Sequence, residues 1–140
     1  MNTKSLKYGK IAVSFLLLFA MLTMAVSAAL PGTVTVQWVN ITSISCELSF
    51  GDTLDYATAC IEARTGSTIE ATMTLYRLSD GVASVAATWK GTGEDVLILD
   101  KPFNGSEGVT YYLKLSVKVT YGGYTESASA TDTATAPVTP

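Results

Sequence analysis

Val109-Thr110-Tyr111-Tyr112-Leu113-Lys114-Leu115-Ser116-Val117-Lys118-Val119-Thr120-Tyr121 alternates without a break. Odd positions carry Val, Tyr, Leu, Leu, Val, Val and Tyr, while Thr110, Tyr112, Lys114, Ser116, Lys118 and Thr120 fill the even ones. Successive side chains of a strand point to opposite faces, so a period of two predicts a strand with one buried and one wet face. Gly122-Gly123 follows at once, and two glycines accept the positive φ angles of a tight hairpin turn. The chain should return through Tyr124 to about Ala130, antiparallel to the first strand.

The same period recurs upstream. Ile69, Ala71, Met73 and Leu75 alternate with Glu70, Thr72, Thr74 and Tyr76, and Ser79-Asp80-Gly81 ends that strand. Val82 to about Lys90 places Val85, Ala87 and Trp89 on one face, with Gly91-Thr92-Gly93 read as a break and Trp89 as a core residue. Asp95 to Asp100 reads as a short strand stopped by Pro102 and Asn104-Gly105. Ile44, Cys46, Leu48 and Phe50 alternate with Ser43, Ser45, Glu47 and Ser49, Gly51-Asp52 turns the chain, and Tyr56 to Ala63 follows. A helical period is absent from every window of a dozen residues beyond the N-terminus. About seven strands in a domain of this size predict an all-β protein, an antiparallel β-sandwich, with a closed barrel as the main alternative.

The strand order resembles immunoglobulin-like and fibronectin type III-like modules, and Gly108-Val109-Thr110-Tyr111 looks like their tyrosine corner. The layout Cys46, Ala59-Cys60, Met73-Thr74-Leu75-Tyr76-Arg77, Trp89, Gly108-Val109-Thr110-Tyr111-Tyr112, Tyr121-Gly122-Gly123 is similar to small secreted β-sandwich proteins of Gram-positive bacteria. That resemblance spans about residues 40–130. It implies an immunoglobulin-like fold and an extracytoplasmic setting, and it brings no catalytic or binding residue with it.

The N-terminus carries Lys4, Lys7 and Lys10, then an apolar run from Ile11 to Val26, then Ser27-Ala28-Ala29. These are the basic, apolar and small-residue parts of a secretory signal peptide, here a signal helix over 1–28 with cleavage expected after Ala28. The competing reading is a retained anchor. However, the apolar run is shorter than the ~20 residues that cross a bilayer. The expected organisation is therefore a signal peptide 1–28, a lead-in 29–39, a sandwich 40–131 and a Thr/Ala/Pro-rich tail 132–140, with free secretion and no membrane tie after cleavage.

The chain holds 9 basic and 12 acidic residues and no histidine. Losing the three leader lysines leaves 6 against 12, a net of −6. Such a surface repels polyanions, and Arg64, Arg77, Lys90, Lys101, Lys114 and Lys118 read as scattered singly among acids, so nucleic acid is not an expected partner.

The two cysteines carry the most definite chemistry. If Phe50 pairs with Tyr56 across the turn, four steps along each strand set Cys46 opposite Cys60, near enough for a bridge. In an oxidising compartment the expectation is a disulfide closing a 15-residue loop, worth roughly 3 kcal/mol. Two cysteines without histidine do not make a zinc site. Asp95, Asp100, Asn104 and Glu107 are oxygen ligands without a calcium-loop spacing, and no cofactor is expected. Asn40-Ile41-Thr42 and Asn104-Gly105-Ser106 match a glycosylation sequon.

Among the aromatics, Tyr76, Tyr112 and Tyr124 are candidate surface contacts, because a ring offers an apolar plane with a polar edge. With the commonest general base missing, the leading expectation is a non-enzymatic module that binds an extracellular protein or glycan. A second is a structural protein that self-associates through the edge strand Tyr124–Thr135, which is poor in lysine and proline. A third is a small hydrolase using a carboxylate pair.

Overall fold

The computed structural model describes residues 38–140. The proposed signal peptide 1–28 and most of the lead-in lie outside the described residues. Seven strands follow in order: β1 Ile41–Phe50, β2 Asp55–Ala63, β3 Thr68–Ser79, β4 Val82–Glu94, β5 Val96–Phe103, β6 Thr110–Tyr121 and β7 Tyr124–Thr135. They form two antiparallel sheets, a three-stranded one ordered β1-β2-β5 and a four-stranded one ordered β4-β3-β6-β7. The described residues contain no helix.

The period of two assigns the faces. Tyr111, Leu113, Leu115, Val117 and Val119 of β6 are buried, as are Ile69, Ala71, Met73 and Leu75 of β3. Ala57, Ala59, Ile61, Leu97 and Leu99 come from the other sheet and complete the core. Both two-residue hairpins use positive φ at their centres, Asp80-Gly81 at 52° and 77° and Gly122-Gly123 at 56° and 80°. This matches a turn whose twist agrees with the right-handed twist of its strands.

Several expectations are corrected. Gly91-Thr92-Gly93 does not break β4, which runs through to Glu94. A Cβ on Gly91 would lie 2.5 Å from Leu99 Cδ2, so glycine stands there because the facing sheet approaches closely, not because the chain turns. A bulge between Leu75 and Tyr76 sets Tyr76 opposite Val85. That shift turns Val85 to the outside, 62% exposed, rather than onto the face of Ala87 and Trp89. Trp89 packs against the core without full burial. Pro102 does not end β5, because β5 is an edge strand and an edge tolerates the missing N–H. β7 continues to Thr135, past the expected boundary at 131, and Ala136 beyond it is buried, its N–H donating to the Val109 carbonyl.

The β1–β2 register is also corrected. Phe50 pairs with Asp55, not Tyr56, so the turn holds four residues rather than five. A Cβ on Gly51 would sit 2.7 Å from the Leu54 carbonyl oxygen, so glycine permits this tighter closure, and the Gly51 N–H donates to Asp55 Oδ1. Cys46 therefore faces Ala59, and Cys60 faces Ser45. Opposed residues share a face and neighbours along a strand do not, so the two cysteines point to opposite sides of the sheet and the thiols are free.

β4 passes directly into β5 through Asp95, whose φ is 62°. Its Oδ1 accepts from the Gly66 N–H at 2.7 Å, and its backbone bonds to Ala63 and Ser67. One residue thus carries the chain from the four-stranded to the three-stranded sheet.

Candidate functional site

The outward face of the four-stranded sheet is built by the even positions of β3 and β6. Pairing sets them in rows across β4, β3, β6 and β7: Thr92, Glu70, Lys118 and Ser127, then Lys90, Thr72, Ser116 and Ser129, then Thr88, Thr74, Lys114 and Thr131. The next row is Val85, Tyr76, Tyr112 and Thr133. Short hydroxyl side chains at Ser116, Ser127 and Ser129 lie between the longer Glu70, Lys90 and Lys118. The result is an open groove of about 610 Å³.

Tyr76 and Tyr112 neighbour each other toward one end of this face, with ring centroids 5.8 Å apart at 41°. Tyr124 does not join them. It pairs with Tyr121 at the hairpin, nine residues along β6 from Tyr112, or roughly 30 Å at strand rise. The aromatic set expected from sequence is therefore two neighbours and one distant residue.

Lysines that read as scattered singly are gathered by the fold. Lys90, Lys114 and Lys118 all lie on this face, against Glu70 and Glu94. Among the described residues, the outward face of the other sheet carries Glu47, Glu62 and Asp100 and no cation. Both arginines are engaged elsewhere, Arg64 over the Tyr121 ring at 4.3 Å and Arg77 donating to Ser106 Oγ at 3.4 Å. Sequence reading missed this grouping. The signal available was the polar parity of β3 and β6, which says that those side chains are wet but not which strands lie beside them.

Other candidate residues are placed away from the groove. Cys46 points inward, and burial, joined by the charge of Asp132, raises its thiol pKa to about 11 against a weaker opposing hydrogen bond with the Leu115 backbone. That keeps it protonated at neutral pH. Cys60 lies on the outward face of the three-stranded sheet, beside Ile98. Asp95 sits at the β4–β5 corner, Asp100 midway along β5, and Asn104 and Glu107 in the following loop. Among the described residues no group of three or more His, Cys, Asp or Glu is placed to hold a metal. Asn40, the first sequon asparagine, is buried, and its side chain donates to the Tyr124 carbonyl.

The edge strand β7 is occupied on its far side. Glu126 Oε1 accepts from the Val39 N–H at 2.7 Å, and its Oε2 accepts from those of Asn40 at 2.8 Å and Ile41 at 3.1 Å. Further along, Asp132 Oδ2 accepts from the Leu48 N–H at 2.7 Å. Burial alone would raise the pKa of Glu126, but the three N–H donors outweigh it, and the carboxyl is held below its ordinary value.

No family model and no curated protein matches this sequence. Among solved structures, the chain is similar to the solution structure of R. palustris CsgH, with a TM-score of 0.44 and 13% identity over 64% of this chain and 88% of that one. It is also similar to the crystal structure of Spo0M, a sporulation control protein from Bacillus subtilis, with a TM-score of 0.34 and 9% identity over 67% of this chain and 47% of that one.

Proposed function

We propose that this chain is a secreted, non-enzymatic β-sandwich module of immunoglobulin-like type that binds an extracellular glycan on the outward face of β4-β3-β6-β7. The observation that carries the reading is the groove itself, lined with hydroxyls, with the Tyr76–Tyr112 pair on the same face beyond the row Thr88, Thr74, Lys114 and Thr131. Serine and threonine hydroxyls both donate and accept, as sugar hydroxyls do, and a tyrosine ring supplies the apolar plane on which a pyranose stacks. Among the described residues Glu70 is the only carboxylate lining the groove, whereas glycoside hydrolysis needs two that flank the bond. The immunoglobulin-like assignment is supported by the sheet orders β1-β2-β5 and β4-β3-β6-β7. It is supported too by Tyr111, whose buried hydroxyl accepts from the Ser106 N–H at 2.8 Å, a bond back to the upstream backbone as in a tyrosine corner. Export is supported by the N-terminal leader pattern. Affinity electrophoresis through gels containing soluble polysaccharides tests the reading. At least one polysaccharide should retard the protein, and Tyr112→Ala should abolish the retardation with the circular dichroism spectrum unchanged. Retardation by none, or retardation indifferent to Tyr112→Ala, overturns it.

Self-association is the second reading, and it moves from β7 to β4. Glu126 and Asp132 tie β7 to β1, whereas Val82–Ala86 of the edge strand β4 is exposed throughout and holds neither charge nor proline.

A further inference from the structure

We infer that the ligand of this face is an anionic polysaccharide, carboxylated or sulfated, lying along β6. The inference rests on the glycan reading and adds its charge. Half the cations of residues 38–140, namely Lys90, Lys114 and Lys118, occupy one face of a domain with a net charge of −6. Against Glu70 and Glu94 these three lysines leave the face at +1. Among the described residues every charged residue on the outward face of the other sheet is an acid, so an anionic chain meets cations on this face and not on the other. Along β6, Tyr112, Lys114 and Lys118 point out in one line, with Ser116 between the two lysines. Their positions place the ring about 7 Å from the first ammonium-bearing residue and the two lysines about 14 Å apart at strand rise. A sugar ring at Tyr112 therefore leaves the next units of an extended chain over Lys114 and Lys118, where an acid group on a ring meets a cation and the ring hydroxyls meet Ser116.

Lysine is a compact point charge, suited to a carboxylate or sulfate held among hydroxyls. Nucleic acid fits less well. The face has no arginine fork for phosphate or base edges, and its charges are far sparser than the roughly one phosphate per 1.7 Å of a duplex.

The experiment measures binding of the secreted protein to polygalacturonate, to its methyl ester, to dextran sulfate and to single-stranded DNA, at low and high salt. The methyl ester keeps the sugar backbone and removes the charge. Polygalacturonate or dextran sulfate should bind, the ester should not, and the affinity should fall with added salt. Lys114→Gln with Lys118→Gln should weaken binding about three- to tenfold, whereas Lys101→Gln, which lies off this face, should leave it unchanged. These lysines are exposed, so the double variant should keep its melting temperature. Equal binding of the ester, still lost in Tyr112→Ala, overturns the anionic assignment and leaves the glycan reading standing. Binding of DNA as tight as of either acidic polysaccharide also overturns the anionic assignment, because charge alone would then account for the affinity. Binding of no sugar polymer overturns both.

Discussion

At neutral pH the buried carboxylate of Glu126 accepts three backbone N–H groups at the entry to β1, replacing the ladder bonds that β1 and β7 do not make with each other. Glu126→Gln keeps the shape but turns one acceptor into a donor, leaving at least one N–H without a partner. It should cost about 1–3 kcal/mol in denaturant melts at pH 7. Because the folded pKa is lowered, the ionised side chain contributes stability above its ordinary value of 4.5, and that contribution is lost as pH falls through the lower folded value. The gap between the parent and Glu126→Gln should therefore close in acid; a constant gap down to pH 2 would contradict the lowered pKa. The cysteines give a second expectation at this scale. Two thiols should titrate under denaturing, non-reducing conditions, and in the native protein a neutral-pH alkylating reagent should label Cys60 ahead of Cys46. Recovery of a Cys46–Cys60 disulfide would mean that the β1–β2 register is wrong.

Among the elements, β6 is the most informative, since it pairs on both sides and carries both core and groove. Leu115 is fully buried, so Leu115→Ala should cost about 2–5 kcal/mol through lost burial and the cavity left behind. Lys114→Ala and Lys118→Ala, on the wet face, should stay within about 0.5 kcal/mol. Urea unfolding of the three variants checks the contrast, and lysine changes that harm stability more than the leucine change would invert the strand. The faces of β1, β3 and β6 were readable in their alternation, because the side-chain period of a strand is a local property. β4 was readable only in part. Its bulge at Ala86 and its glycine at Gly91 answer to the pairing with β3 and to the close approach of Leu99 from the other sheet, which the alternation within β4 does not encode.

For the whole molecule, the exposed Val82–Ala86 end of β4 bears on the self-association reading. If copies pair through this edge, sedimentation should show mass rising with concentration for the parent protein, and Val85→Lys should stay monomeric at the same concentrations. A parent that is monomeric throughout removes that reading. The all-β class, the strand count, the two glycine- or aspartate-bearing hairpins and the inward residues of β6 were determined by the sequence alone, since alternation and turn chemistry act between near neighbours. Only the tertiary structure decided the sheet orders, the four-residue turn that separates Cys46 from Cys60, and the rows that bring Lys90, Thr72, Ser116 and Ser129 side by side. Lateral pairing and the contact between sheets depend on free energies shared by residues tens of positions apart, and a period of two is the same whichever strand lies alongside.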